Sequence, residues 1–422
     1  MRLPALVAMH TEKVLNEVLQ FAGAADGVLS RYFRQNRKIG STERNAITEA
    51  VFAVLRNRLF FVHCVQAEEG SETRQLALLG LAEMFGSDAI GGLTEKEKQW
   101  LEKTKNIDRT LLAPEVQVGM PQWIYEKLVS RMGEKEAFSL ASALNTPAPL
   151  DLRVNALKAK RDGAKAALDA QSVASASTPY APLGLRAEKK TALQNLSLFR
   201  EGIIEVQDEG SQILAHIVGA RRGEMIADFC AGAGGKTLAL GALMRNTGRL
   251  YAFEVSDRRL ALLGPRLKRS GLSNVHTLNI AHERDARLGP FLGKMDRVLV
   301  DVPCSGLGTL RRNPDIKWRL EEGDLVAITQ KQAAILASAA RLVKPGGRLV
   351  YASCSVLEEE NEDIIRDFLE KHPHFSLRPM REILAEQKIA LEMEDFLNLL
   401  PDRHHTDGFF AAVLVRTPAN EA

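Results

Sequence analysis

The sequence predicts an α/β protein in which a parallel sheet, covered by helices on both faces, is preceded by an all-helical bundle and a small α/β connector. Three observations carry this reading. From about Gly202 onward, apolar runs of strand length alternate with amphipathic runs of helical length, the pattern of a parallel sheet. Up to about residue 105, apolar side chains recur at helical spacing with no strand alternation. Between these regions lie Pro114, Pro121, Pro147 and Pro149 with short, weak strand signals. The expected divisions are residues 1–110, 111–201 and 202–422.

In the first region, Val14, Leu15, Val18, Leu19 and Phe21 form one apolar stripe. A second follows Gly40, with Ser41 or Thr42 as the expected N-cap and Ile47, Val51, Val54 and Leu55 on one face. A third carries Leu76, Leu79, Leu81 and Phe85. The polar surface holds Arg31, Arg34, Arg37, Lys38, Arg44, Arg56 and Arg58, which suit a plain solvated face as well as a binding one.

Within the connector a helix is expected over Gln122–Met132, a strand over Pro149–Asn155 and a short helix over Lys160–Gln171. In the last region strands are expected near 225–229, 249–254, 275–280, 297–302 and 347–352. Helices are expected near 211–218, 236–245, 256–270, 324–343 and 355–371. The last of these would start from a capping box of Ser355 and Glu358. The terminal run 408–416 reads as one more, antiparallel, strand.

The composition sets limits. A chain of 422 residues has room for two or three domains, each with its own core. Its 45% hydrophobic and 26% charged residues are ordinary for a soluble globular protein, and a net charge of +3 identifies no partner. Four cysteines without a C-x-x-C pair argue against a structural metal site or a disulfide scaffold. The opening residues are too short for a secretory signal, and no run approaches the roughly 18 apolar residues of a membrane span. A cytoplasmic, monomeric chain with no membrane and no metal is therefore expected.

The stretch around which the chain is organised is 297–318, RVLVDVPCSGLGTLRRNPDIKW. The run Val298-Leu299-Val300 reads as a buried strand that delivers Asp301, Pro303 and Cys304 to a sheet edge. Ligands of open α/β sheets bind at that edge. A lone cysteine there is ordinarily a core residue. Here, however, Cys230, Cys304 and Cys354 all fall at or just beyond predicted strand ends. Arg311, Arg312, Lys317 and Arg319 follow closely and suit an anionic substrate. Trp318 suits packing beneath the loop better than base stacking.

The loop Cys230-Ala231-Gly232-Ala233-Gly234-Gly235-Lys236-Thr237 follows an apolar strand and opens a helix, so backbone can approach a ligand closely. A P-loop would require glycine where Cys230 stands, and that pattern fails. A dinucleotide fingerprint is matched only at Gly232 and Gly234. The remaining reading is a nucleoside-binding loop, with Glu254 at the end of the next strand placed to accept hydrogen bonds from a ribose diol.

Taken together, DFCAGAGGKT, DVPCSGLGTLRRNPDIKW and YASCSVLEEENEDI resemble the Nop/Sun-type RNA (cytosine-5) methyltransferases, in the family's motif order from about Gly202 to Arg416. Residues 29–58, with Gly40-Ser41, Glu43-Arg44 and the closing Arg56-Asn57-Arg58, resemble a NusB-like RNA-binding bundle; together the two likenesses suggest the bacterial ribosomal RNA branch. The resemblance implies a Rossmann-like domain and S-adenosylmethionine as cofactor, held by Cys230, Ala231, Gly232, Ala233, Gly234, Gly235, Lys236, Glu254 and Asp301. It implies Cys354 as the nucleophile toward cytosine C6 and Cys304 as the residue assisting product release. Asp301 would lie near cytosine N3, Lys236 would hold a loop or a carboxylate, and a helix start at Ser355 would lower the Cys354 thiol pKa. RNA, from the small ribosomal subunit, is the implied partner.

The chain departs from the family pattern at Gly232 and Ala233, where Ala and Pro are usual, and at Ser353, where Thr is usual. After the third strand, Asn279-Ile280-Ala281 stands where an acid is common, with only Asp285 nearby. The region from Gly202 is expected to bind cofactor by itself. Two other functions compete: a non-catalytic RNA-binding or ribosome-assembly factor, and a DNA cytosine methyltransferase using the Pro-Cys thiol.

Overall fold

The computed structural model describes residues 2–66, 70–189 and 191–418. The chain packs as two compact units, Met1–Pro147 with Thr309–Glu322, and Ala148–Gly308 with Gly323–Ala422. Residues 111–201 thus divide at Pro147: the helices Gln122–Met132 and Glu134–Leu144 pack with the first unit and the strands that follow with the second.

In the first unit, helices Ala5–Val18, Ala25–Gln35, Ser41–Cys64, Glu72–Phe85 and Glu95–Lys105 enclose a core of Val14, Leu15, Ile47, Val51, Val54, Leu55, Leu76, Leu81 and Trp100. The apolar stripes read from the sequence are those that meet here. Gly80 allows a close helix–helix approach: an added Cβ would lie 2.6 Å from Ala50 O and 2.7 Å from Val54 Cγ2. The helix Ser41–Cys64 takes Gly40 as its N-cap, with no side-chain cap, instead of Ser41 or Thr42. The Glu43 carboxylate folds back over Gly40, where it complements the positive helix end.

The segment Thr309–Glu322 is part of this core. Trp318 Nε1 donates to Leu55 O at 2.7 Å, and Asp315 Oδ2 accepts from Ala25 N at 3.3 Å and from Arg319 Nε at 2.9 Å. Lys317 is buried and donates to Asn145 Oδ1 at 2.8 Å and Arg56 O at 3.3 Å. Burial, aided by Arg56, drives its pKa well below the lysine range. The sequence reading of Lys317 as a contact for an anionic substrate is therefore overturned: it is a structural group inside the unit.

The second unit holds two sheets. Strands β1 (Leu150–Val154), β2 (Ser175–Ser177), β3 (Gly184–Ala187) and β4 (Ile204–Val206) form an antiparallel sheet in the order β2-β3-β1-β4. Strands β5 (Met225–Asp228), β6 (Arg249–Glu254), β7 (Val275–Asn279), β8 (Met295–Asp301), β9 (Val343–Ser353), β10 (Phe375–Arg378), β11 (Leu397–Leu399) and β12 (Phe409–Arg416) form the second. Its order is β10-β12-β9-β8-β5-β6-β7, with β11 beside β12. Strands β5 to β9 pair in parallel, and β12 is antiparallel to β9.

Both faces of this sheet are covered. Val298, Val300 and Tyr351 face one apolar cluster, while Leu299, Val350 and Ala352 face the other. That explains why β8 and β9 read as unbroken apolar runs. The chain leaves β5 toward β6 and returns to its other side as β8, so β5 and β8 flank a topological switch point.

One expected helix starts late. Residues 354–357 are not helical; a single 3₁₀ turn spans Glu358–Glu360 and the helix runs Glu362–Lys371. The capping box of Ser355 and Glu358 does not form, because the Ser355 hydroxyl donates to Glu360 instead. Among the described residues, no helix is long and apolar enough to cross a membrane, and no group of three or more His, Cys, Asp or Glu is placed to hold a metal ion.

Candidate active site

Strand β5 ends at Asp228, and the chain then turns through the glycine loop into the helix Gly235–Leu243. Gly232 and Gly234 have φ of +56° and +84°, values that disfavour other residues. They differ in surroundings. An added Cβ on Gly234 would lie 2.1 Å from Leu263 Cδ1, whereas one on Gly232 would meet nothing within 4 Å. Gly234 thus serves packing, and Gly232 leaves an open face.

The carbonyls of the loop are held by two guanidinium groups. Arg266 Nη1 donates to Ala233 O at 2.6 Å, and Arg153 Nη1 donates to Gly235 O at 2.7 Å. Arg153 belongs to β1 and is buried, which lowers its pKa to about 10 against the opposing charge of Glu205. Glu205, on β4, also binds Arg266 and Arg269. Asn155 Nδ2 donates to Gly202 O at 3.1 Å and to Ser270 O at 2.9 Å. The expectation that the region from Gly202 is self-contained is therefore corrected, because the small sheet braces the loop.

Glu254 closes β6 and is buried. Its Oε2 accepts from Gly232 N at 2.7 Å and its Oε1 from Ser256 N at 2.9 Å. A carboxylate offers about four acceptor positions, so both oxygens retain capacity for hydroxyl donors. The ordered acid beside an open glycine backbone fits a nucleoside with a ribose diol. Cys230 lies in the loop, and burial pushes its thiol well above the ordinary range, with Asp228, Asp301 and Glu254 adding to the effect. Its side chain packs, partly buried, against the apolar cluster that includes Phe229 and Phe253.

Asp228 carries an unusual burden. Thr237 Oγ1 donates to its Oδ2 at 2.7 Å, while Oδ1 is buried without a hydrogen-bond partner. Burial raises its pKa to about 7, against the Thr237 hydrogen bond and with Asp301 and Glu254 adding.

Strand β8 delivers Asp301, whose Oδ2 accepts from Lys236 Nζ at 2.7 Å. Burial opposes the Lys236 charge, but the pairing with Asp301 outweighs it and Cys354 and Asp228 assist, so the lysine pKa is raised. Lys236 is thus a fixed cation holding a carboxylate, with no proton to give near neutrality.

The two thiols meet: Cys304 Sγ lies 3.2 Å from Cys354 Sγ. The hydrogen bond to Cys354, then burial, hold the Cys304 thiol well above its usual pKa, and Glu360 contributes. Gly308 N donates to Cys354 O at 2.9 Å, and Gly408 N donates to Gly308 O at 2.8 Å. An added Cβ on Gly308 would lie 2.1 Å from Gly408 O and 2.8 Å from Cys354 O, so glycine is required where the three segments converge. The helix start expected at Ser355 is absent, and no helix dipole acts on Cys354 from there.

Several residues of this site escaped the sequence reading. Arg153, Arg266 and Glu360 are among them. The signal for Glu360 was the repeated Cys-Ser pair, Cys304-Ser305 and Cys354-Ser355, which implies a shared acceptor near both. Asp285 accepts from Ala281 N at 2.7 Å and is engaged by Arg287, which holds its pKa far below the usual carboxylate range. It is therefore satisfied by local partners.

A family model described as 16S rRNA methyltransferase RsmB/F matches residues 215–415, and one described as a Methyltr_RsmF/B-like, ferredoxin-like domain matches residues 120–194. A probable ribosomal RNA small subunit methyltransferase B of Synechocystis sp. is 34% identical over 78% of this chain and 74% of its own length. This chain belongs to the RsmB/F family. A probable member from Bacillus subtilis is 31% identical over 69% of this chain and 65% of its own length. The RsmB/F fold is also that of the solved structure of PH0851, at 26% identity, a TM-score of 0.80, and coverage of 98% of this chain and 99% of that one. RsmB/F membership makes the chain an S-adenosylmethionine-dependent rRNA methyltransferase of Rossmann-like fold, and the loop and Glu254 fit that cofactor.

Proposed function

We propose that this chain methylates cytosine C5 in small-subunit ribosomal RNA through a covalent adduct between Cys354 and cytosine C6. The observation that carries the proposal is the pair of thiols, 3.2 Å apart beyond the ends of two adjacent parallel strands. One thiol suffices for a core, and one for simple nucleophilic catalysis. Two in contact suit a reaction that must form an adduct and then resolve it.

Cytosine C5 is a weak nucleophile. Addition of a thiolate to C6 makes C5 enamine-like, and the proton on C5 must leave before the thiolate departs. S-adenosylmethionine, when bound, supplies the methyl group. Gly232, Glu254 and the loop backbone would hold it, with Asp301 fixed by Lys236 between loop and thiols. The family resemblance supports addition by Cys354 and release assisted by Cys304, and the contact between the two sulfurs places one thiol within reach of an adduct on the other. Asp301, pinned by Lys236, would support ring protonation at N3 as Cys354 adds.

The target base must leave any duplex to reach these thiols, so a loop or an unfolded rRNA segment is the substrate. In the first unit, Arg34, Arg37 and Arg44 with Phe33 line an open depression of about 560 Å³. This face of the NusB-like bundle binds RNA in the proposal, and the chain acts as a monomer in the cytoplasm. The test is methyl transfer from tritiated S-adenosylmethionine to a small-subunit rRNA transcript, followed by nucleoside digestion. Label in 5-methylcytidine supports the proposal; label in any other nucleoside, or none, refutes it.

A further inference from the structure

We propose that Glu360 is a positioning residue that sets the separation of the two thiols, so that its loss uncouples Cys304 from Cys354. The proposal rests on the two-thiol reading of the site and assigns a role to a residue that touches neither sulfur.

Glu360 is fully buried at the end of its 3₁₀ turn. Both carboxyl oxygens act as acceptors, and the donors come from both cysteine-bearing segments. Ser305, next after Cys304, gives its backbone N–H to Oε2 at 2.8 Å and its hydroxyl to Oε1 at 2.5 Å. Ser355, next after Cys354, gives its hydroxyl to the same Oε1. The two serine oxygens lie 3.1 Å apart, echoing one residue away the 3.2 Å contact of the thiols.

The clamp is itself anchored. Gln332 Nε2 donates to Glu360 Oε2 at 2.9 Å and to Pro303 O at 3.1 Å, gripping the residue before Cys304 while Glu360 itself grips the residue after it. Tyr351 Oη donates to Glu360 O at 2.6 Å, tying the turn to β9. Asn361 Nδ2 donates to Ser355 O at 3.2 Å, and Asn361 Oδ1 accepts from Ser353 Oγ at 2.5 Å. The residues on both sides of Cys354 are thus fixed as well. A buried acceptor is costly unless its partners are in place, so removing one side of this network leaves the other unsatisfied. The mutual contact of the sulfurs is itself weak.

Glu360→Gln keeps an oxygen for the two serine hydroxyls but turns an amide N–H₂ toward Ser305 N and Gln332. The test reads thiol separation directly: dibromobimane links two neighbouring thiols as each displaces one bromide, and the fluorescent product forms without RNA or turnover. Cys304→Ala supplies the blank. Glu360→Gln and Ser355→Ala should each slow cross-linking relative to the native chain, with S-adenosylmethionine affinity unchanged by calorimetry. On rRNA they should lower kcat by on the order of 10- to 100-fold while leaving KM for RNA unchanged. Cross-linking at the native rate in folded Glu360→Gln overturns the proposal. If Glu360→Gln does not fold, native-rate cross-linking in Ser355→Ala overturns it equally. Should the chain methylate no cytosine, the cross-linking rates still decide the role of Glu360, so the two readings fail separately.

Discussion

Lys236 Nζ and Asp301 Oδ2 stand 2.7 Å apart, joining the helix after β5 to the end of β8 across the switch point of the sheet. This pair fixes an acid beside the glycine loop and, in the proposed function, links the cofactor side of the site to the nucleophile side.

Replacement of Glu254 tests the cofactor side. Glu254→Ala removes the acceptor of Gly232 N and Ser256 N and, in the proposed function, that of the ribose. S-adenosylmethionine affinity should fall by about 1.5–3 kcal/mol, the range for hydrogen bonds to a charged group. Calorimetry that shows no change would place the ribose elsewhere.

Arg153 lies outside the large sheet but donates to Gly235 O. Arg153→Ala should weaken cofactor binding by about 1.5–3 kcal/mol. A fragment beginning at Gly202 should bind it worse still, since Asn155 is missing as well. Native affinity in either protein, again by calorimetry, would show that the loop holds its own shape.

Asp228 predicts a pH effect on stability. Its folded pKa of about 7 exceeds the ordinary 3.8, so the native state keeps a proton that the unfolded chain releases. Its penalty to folding therefore grows as pH rises from about 4 to 7 and is constant above. Asp228→Asn should stabilise the protein above pH 7 by on the order of 2–4 kcal/mol and leave it unchanged at pH 4. Thermal melts across this range that show a gain independent of pH would contradict the assignment.

For the first unit, neutralising Arg34, Arg37 and Lys38 should weaken RNA binding without lowering the melting temperature. The slope of log affinity against log salt should become shallower by about 0.7–0.9 for each phosphate no longer neutralised. Filter binding with unchanged slope would mean that this face is only a solvated surface.

Much of this was legible in the sequence, for identifiable reasons. The strands β5 to β9 are buried on both faces, so Val298-Leu299-Val300 and its counterparts read as continuous apolar runs ending in chemistry-bearing residues. The antiparallel β12 was equally clear. What local pattern could not show was long-range pairing. Ser355 and Glu358 match a capping box by spacing, but the Ser355 hydroxyl is drawn to Glu360, and the helix begins only at Glu362. Lys317 sits among arginines in sequence, yet its ammonium is buried against Asn145, 172 residues away. Arg153 reads as one polar position of an alternating strand, and only the fold brings it to Gly235.

The division of labour proposed for the two thiols can be read from trapping on RNA. Cys354→Ala and Cys304→Ala should each be incubated with S-adenosylmethionine and labelled small-subunit rRNA, with 5-azacytidine-substituted RNA on the native chain as reference. Cys304→Ala should accumulate a covalent protein–RNA adduct, while Cys354→Ala should form none and transfer no methyl group. An adduct in Cys354→Ala and none in Cys304→Ala would contradict this division and make Cys304 the nucleophile.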